Sequence, residues 1–212
     1  MPYSALPNDQ TLTSDGLNPE GRGQILLIAC GALAREIIAL RDTHGWTHLD
    51  LNCLPAIYHN TPDKITDAVR TSVQKWQSKY DEIFVVYADC GTGGLLKAAC
   101  DEMGVEMLQG PHCYSFFEGN EAFEQRGEIT SFFLTDFLAR QFDAFIWKPL
   151  GMDRHPQLIE MYFGNYEKLV YQSQLHDAAL LENAKELAVR LGLEFEHRHT
   201  GYGDLKNELA RL

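Results

Sequence analysis

Five cysteines, at positions 30, 53, 90, 100 and 113, are the residues of this chain whose type could do chemistry. A thiolate is a nucleophile, a two-electron reductant and a ligand for soft or borderline metals. No C-x-x-C pair and no H-E-x-x-H string occurs, so no local ligand spacing is present. A joint role needs a fold that carries distant sulfurs to one place. His59, shortly after Cys53, and His112, beside Cys113, could join such a group as substitute ligand or outer partner.

Three strings surround these residues. Asp89-Cys90-Gly91-Thr92-Gly93-Gly94 reads as a strand-to-helix elbow. Its glycines allow close backbone approach and its amides could hold an anion, which makes Asp89, Gly91, Thr92, Gly93 and Gly94 candidate ligand contacts. It is neither a Walker loop nor a G-x-G-x-x-G fingerprint, so no nucleotide is indicated, and a tight turn packing helix onto sheet is the plainer reading. A helix start would lower the pKa of Cys90 and make it the more reactive thiol. In Gly110-Pro111-His112-Cys113-Tyr114, neighbouring side chains on extended backbone point apart, so one of His112 and Cys113 faces the site. Cys113 is favoured, with His112 as proton carrier. Near the C-terminus Arg198, His199, Tyr202 and Gly203 could take an anionic group, or form only a turn.

The elements that must position these residues follow from the hydrophobic pattern. Ile25 to Cys30, His48 to Pro55, Glu82 to Cys90 and Val105 to Leu108 read as strands. Between them Gly31 to Arg41, Asp63 to Tyr80 and Leu95 to Met103 read as helices. From Thr130 the pattern predicts mostly helix, closed by a last strand over Leu193 to His197. The alternation predicts an α/β fold: a doubly wound, mostly parallel sheet of about five strands with a helix-rich C-terminal half. A single domain is expected over 24–212, preceded over 1–23 by a flexible arm or a strap across the surface. Cys30, Cys53, Cys90 and Cys113 then all fall at or beyond carboxyl ends of parallel strands, the edge where ligands bind in such sheets. Cys100 falls inside a helix and takes no role.

Length and composition bound the rest. With 212 residues, 45% hydrophobic and 23% charged, the chain can bury one sizeable core. A net charge of -12 argues against nucleic acid and against an anionic membrane surface. No basic-then-apolar leader and no bilayer-length apolar run is present, which points to a cytoplasmic protein with reduced thiols.

Six strings, LIACGALAREI at 27–37, YADCGTGG at 87–94, GPHCY at 110–114, FFLTDFLAR at 132–140, MYFGNYEKLVY at 161–171 and TGYG at 200–203, together resemble the domain-of-unknown-function 1638 family. The resemblance implies one-carbon metabolism beside corrinoid-dependent methyltransferases, with a corrinoid as a possible cofactor. Its implied partners are a small molecule or a protein of the methyltransferase system. It carries over no catalytic residues.

Three functions are consistent with the residues. The first is a metal- or cluster-binding protein with Cys30, Cys53, Cys90 and Cys113 holding zinc or an iron–sulfur cluster. The second is a metal-free binding or chaperone-like module for a corrinoid or a methyltransferase partner. The third is a metal-free thiol enzyme in which Cys90 is the nucleophile and His112 its aid. Oligomeric state and substrate are not legible.

Overall fold

The computed structural model describes residues 7–212, which divide into two compact units, residues 7–113 with Lys206–Leu212, and Tyr114–Leu205. In the first unit α1 (Asp9–Ser14) precedes β1 (Ile25–Cys30), α2 (Ala34–His44), β2 (Leu49–Leu54), α3 (Asp63–Trp76), β3 (Glu82–Val86), α4 (Leu95–Met103) and β4 (Glu106–Met107). All strand pairs are parallel and the order in space is β2-β1-β3-β4. The central strand β1 is buried on both faces, with Leu26, Leu27, Ile28 and Ala29 fully enclosed, which is why it reads as a continuous apolar run. Helices α2 and α4 end where Gly45 and Gly104 turn left-handed.

Within the segment expected to be an arm or strap, residues 1–6 lie outside the described residues. The rest is ordered chain held on the unit. Leu12 of α1 is fully buried, and Leu17 bridges Cys53 antiparallel, with Leu17 N–H donating to the Cys53 carbonyl at 2.9 Å and Cys53 N–H returning the bond at 2.8 Å. This caps part of the exposed edge of β2. The Asp50 carboxylate fixes the end of the strap by accepting from the amides of Glu20, Gly21 and Arg22 and from the Tyr80 hydroxyl.

In the second unit α5 (Ser115–Glu118) and α6 (Asn120–Arg126) precede β5 (Ser131–Thr135), α7 (Asp136–Phe142), α8 (Leu158–Phe163), β6 (Lys168–Ser173), α9 (Ala178–Leu191) and β7 (Glu194–His199). The chain ends with α10 (Gly203–Ala210). The three strands run parallel in the order β5-β6-β7. Leu134, Phe142, Phe163, Leu169, Tyr171 and Ala184 form the centre of its core. Thr135 and Asp177 cap α7 and α9 by accepting from Leu138 N–H and Leu180 N–H.

The protein is therefore an α/β protein built on parallel sheets with helices. It has two sheets where the pattern suggested one. Ser131–Thr135 and Lys168–Ser173, both read as helical, are strands. Each is a short apolar run fused in sequence to a helix, and such runs carry no decisive period. Strand β3 ends at Val86, so Cys90 stands in the loop beyond it and not in the strand. Among the described residues no helix is long and apolar enough to cross a membrane.

Candidate functional site

The order β2-β1-β3-β4 has a consequence for chemistry. The chain leaves β1 for β2 on one side and later places β3 on the other, so the carboxyl ends of β1 and β3 flank a topological switch point. Cys30 is the last residue of β1, and Tyr87 to Cys90 follow β3 directly. Two loops are laced together at this edge: Asp89 N–H donates to the Gly110 carbonyl at 2.9 Å and Cys90 N–H to the Pro111 carbonyl at 3.2 Å. The lacing brings Cys90 Sγ to 3.0 Å from Cys113 Sγ.

Cys90 is, among the described residues, the one non-glycine with positive φ, at 47°. A left-handed residue with a Cβ costs about 1–2 kcal/mol. Such a backbone at a strand-to-helix turn is how nucleophile elbows lift a side chain to the top of a sheet. Gly91, Gly93 and Gly94 that follow are also left-handed, at 83°, 62° and 84°.

The glycine loop does not await an external anion. Asp89 fills it: its carboxylate accepts from Gly94 N–H at 2.7 Å, from Gly93 N–H at 3.2 Å and from the Thr92 hydroxyl at 3.1 Å. Burial works to raise the Asp89 pKa, but these donors and the Gly91 amide outweigh it and hold the carboxyl below its ordinary value. Asp89, Gly91, Thr92, Gly93 and Gly94 thus form a self-satisfied loop that shapes the elbow, and a ligand phosphate or oxyanion would have to displace the carboxylate.

The thiols differ sharply. The Cys113 thiol, donating its hydrogen bond, holds Cys90 below the usual thiol range, against the pull of burial. The same contact, with burial and the charge of Cys90, pushes Cys113 well up. The expected lowering of Cys90 is present, but its cause is the neighbouring thiol; α4 begins only at Leu95. Cys30 is pushed up to about 12 by burial, against a backbone hydrogen bond from Ala32, and by the charge of Cys90. Cys53, buried in β2, is raised by burial and by Cys30. Cys100 is enclosed in α4 and raised to about 11 by burial, in keeping with a packing role.

Tyr87 ties these thiols together and was not singled out by the sequence reading. Its side chain is 2% exposed. Burial raises the phenol well above its ordinary value, and so does the charge of each of Cys30, Cys113, Cys90 and Cys53. Cys30 closes β1 and Tyr87 follows the neighbouring strand β3, at the same sheet edge as the Cys90–Cys113 pair. The signal available was a tyrosine closing an otherwise apolar strand. His59 is depressed by burial and then by His112, and His112 by burial against the pull of Asp89.

A metal asks for more than neighbourhood. Among the described residues no group of three or more His, Cys, Asp or Glu side chains is arranged to hold an ion. Cys90 and Cys113 are in contact, and the four sulfurs as they stand do not make a ligand set.

A model of a family described as a protein of unknown function, DUF1638, matches residues 53–209. The chain belongs to the DUF1638 family. The matched stretch includes Cys53, Cys90 and Cys113, and Cys30 precedes it. No curated protein and no solved structure matches the chain.

The C-terminal residues of this DUF1638 protein are expected from sequence either to take an anionic group or to form only a turn. Arg198 is engaged by carboxylates: its two terminal nitrogens each donate at 2.7 Å to Glu128, and its Nε donates at 2.6 Å to Glu196. A guanidinium so occupied has no fork left for a ligand anion. Gly203, left-handed at 39°, is small because the carbonyls of Phe116 and Phe117 crowd the place of a Cβ. Tyr202 sits in the turn between β7 and α10. His199 belongs to a separate group on the second sheet. In the first unit a cleft of about 370 Å³ lies along β2 and α3, lined in part by Asn52, Cys53, Tyr58, Lys75 and Trp76.

Proposed function

We propose that the Cys90–Cys113 pair is a dithiol centre, with Cys90 the attacking thiolate and Cys113 its proton donor and resolving thiol. The observation that carries this reading is the sulfur contact of 3.0 Å on a strained elbow, at the switch point of a parallel sheet. Cys90 Sγ attacks one oxygen of a peroxide, or one sulfur of a small disulfide, and displaces the other half as water or thiol. Cys113 Sγ then attacks Cys90 Sγ, the S–S bond closes and the second half departs. Two electrons and two thiol protons leave the protein in all. Acyl transfer fits less well, because the amides next to the nucleophile already bind Asp89.

In the one-carbon, corrinoid-dependent methyl metabolism that the family resemblance implies, such a pair would supply a thiolate or reducing equivalents to a corrinoid or to a methyltransferase partner. A second reading, zinc or an iron–sulfur cluster held by Cys30, Cys53, Cys90 and Cys113, is supported by the Cys90–Cys113 contact and by the place of Cys30 at the end of the neighbouring strand β1. Ligation would require these thiols to move together and deprotonate.

One experiment separates the two. Purified under nitrogen, the protein is analysed for zinc and iron, then treated with hydrogen peroxide and mapped by mass spectrometry. The dithiol reading expects a Cys90–Cys113 disulfide that dithiothreitol reverses and that Cys113→Ser replaces with a Cys90 sulfenic acid. Stoichiometric metal lost on Cys53→Ser, with no such disulfide, sinks it in favour of the ligand set.

A further inference from the structure

At the carboxyl edge of the second sheet lies an array that the thiol reading does not use. Ser173, the last residue of β6, is 2% exposed. Its Oγ lies 2.9 Å from His197 Nε2 and 3.1 Å from His199 Nδ1. The two histidines are alternate residues at the end of β7, so their rings rise on one face, and His199 pairs in register with Ser173. Both rings are exposed, as is His176, which stacks on His199 with ring centroids 3.8 Å apart. Tyr171 stacks against His197 at 5.5 Å and donates at 2.6 Å to Asp136, a fully buried carboxylate whose other oxygen accepts from Leu175 N–H.

A hydroxyl has one proton to give. Set between two imidazole nitrogens, Ser173 can donate to only one, so the other must donate to it. The array therefore couples the protonation of two surface rings through a buried oxygen.

We propose that His199, Ser173 and His197 form a proton relay serving an acid–base site in the second unit, for a small substrate that is an oxygen acid. His199 Nε2 takes the proton of the substrate hydroxyl while His199 Nδ1–H passes its proton to Ser173 Oγ, and Ser173 O–H passes its own to His197 Nε2. The substrate keeps the O–H electron pair as an oxyanion, His199 ends neutral in its other tautomer, and the positive charge rests on His197. Partial burial opposes that charge most, joined by His199, His176 ahead of α9 and Lys185 on α9, and Asp136 at the start of α7 draws it. His197 therefore lies below its ordinary value and gives the proton up again readily. Asp177, beside the α9 start, adds its negative charge near Tyr171. The relay rests on no part of the thiol reading.

Ring-nitrogen NMR across a pH titration tests it. In the wild type the two proton uptakes of the His197–His199 pair are expected to differ by about one pH unit or more, as strongly interacting sites do. Ser173→Ala should collapse that difference, and Ser173→Thr, which keeps the hydroxyl, should restore it. Should Ser173→Ala not fold, His197→Gln serves instead and must shift the titration of His199. The substrate class is probed with 4-nitrophenol below its own pKa: the wild type should raise the coloured phenolate saturably, and Ser173→Ala should not. Histidine titrations that ignore both substitutions overturn the relay, and a wild type that leaves the phenol unchanged overturns the site.

Discussion

The two sheets end in edges of opposite chemistry. The first ends in sulfur: buried Cys30 and Cys90 and half-buried Cys113 near buried Tyr87, with Cys90 in a left-handed backbone. The second ends in exposed imidazole: His176, His197 and His199 above a buried hydroxyl. The strand orders explain part of this difference. The order β2-β1-β3-β4 reverses direction at β1 and opens a crevice there, whereas β5-β6-β7 adds strands in one direction and opens none. A crevice shelters groups that burial makes reactive or inert. A flat edge presents groups that solvent keeps labile. Thiols held between raised and lowered pKa belong to the first kind, and histidines exchanging protons with water belong to the second.

The largest effect that could break the comparison is on thiol reactivity. If the Cys113 hydrogen bond outweighs burial and makes Cys90 a thiolate, iodoacetamide should modify it first, well ahead of Cys100, which is also buried and raised to about 11. One unit of pKa near neutrality changes the thiolate fraction roughly tenfold, so the expected ratio of rates is on the order of 100. Cys113→Ala, which removes the donor, should shrink it severalfold. Peptide mapping of partly alkylated protein reads both, and equal labelling of Cys90 and Cys100 would show that the first edge is merely packed.

Next in size is the strap that closes the first unit. Asp50 is 2% exposed and accepts from Glu20 and Gly21 N–H, at 3.0 and 2.6 Å, and from the Tyr80 hydroxyl at 2.8 Å. Hydrogen bonds to a charged group contribute about 1.5–3 kcal/mol, so Asp50→Ala should cost at least about 2 kcal/mol in denaturant unfolding. Burial raises its pKa, but the hydroxyl and amide donors outweigh burial and leave it lowered in the folded protein. Its contribution is therefore complete above the unfolded carboxyl value of about 4 and is lost as pH falls through the lower folded value. A variant as stable as the wild type at neutral pH would mean that the strap is not held by this carboxylate.

How much of this the sequence discloses follows from what each signal is made of. The first sheet is legible because Ile25–Cys30 and Glu82–Val86 are buried strands bounded by turn residues, and period and length agree. The second is not, because SFFLT runs without a break into DFLARQF and only the Thr135 cap divides strand from helix. The contact of Cys90 with Cys113 follows from two loops laced at one sheet edge, while the spacing of the other sulfurs depends on side-chain direction that no pattern encodes. Asp89 shows the same limit: glycines advertise room for an anion but do not say that the anion is the neighbouring side chain. The imidazole edge is hidden for a related reason. His197 and His199 are visible in the string HRH, but Ser173 enters only once β6 is known to be a strand.

The smallest effect concerns what steadies the second sheet from its other residues. Glu128 accepts from Lys168 at 2.8 Å and from both terminal nitrogens of Arg198, and Lys168 and Arg198 also reach Glu196. Arg198 and then Lys168, against partial burial, bring the Glu128 pKa down to about 2. Since the folded value lies below the unfolded value of about 4.3, the stabilisation is present at neutral pH and disappears as pH falls from about 4 towards 2. The group is partly open to water, so its worth at neutral pH is small, about 1 kcal/mol or less. Glu128→Gln should therefore lower the unfolding midpoint slightly at pH 7, more at low than at high ionic strength, and progressively less as pH falls to 2. A difference that persists undiminished at pH 2 would assign Glu128 to packing rather than charge, and the second sheet would then owe its stability to its core alone.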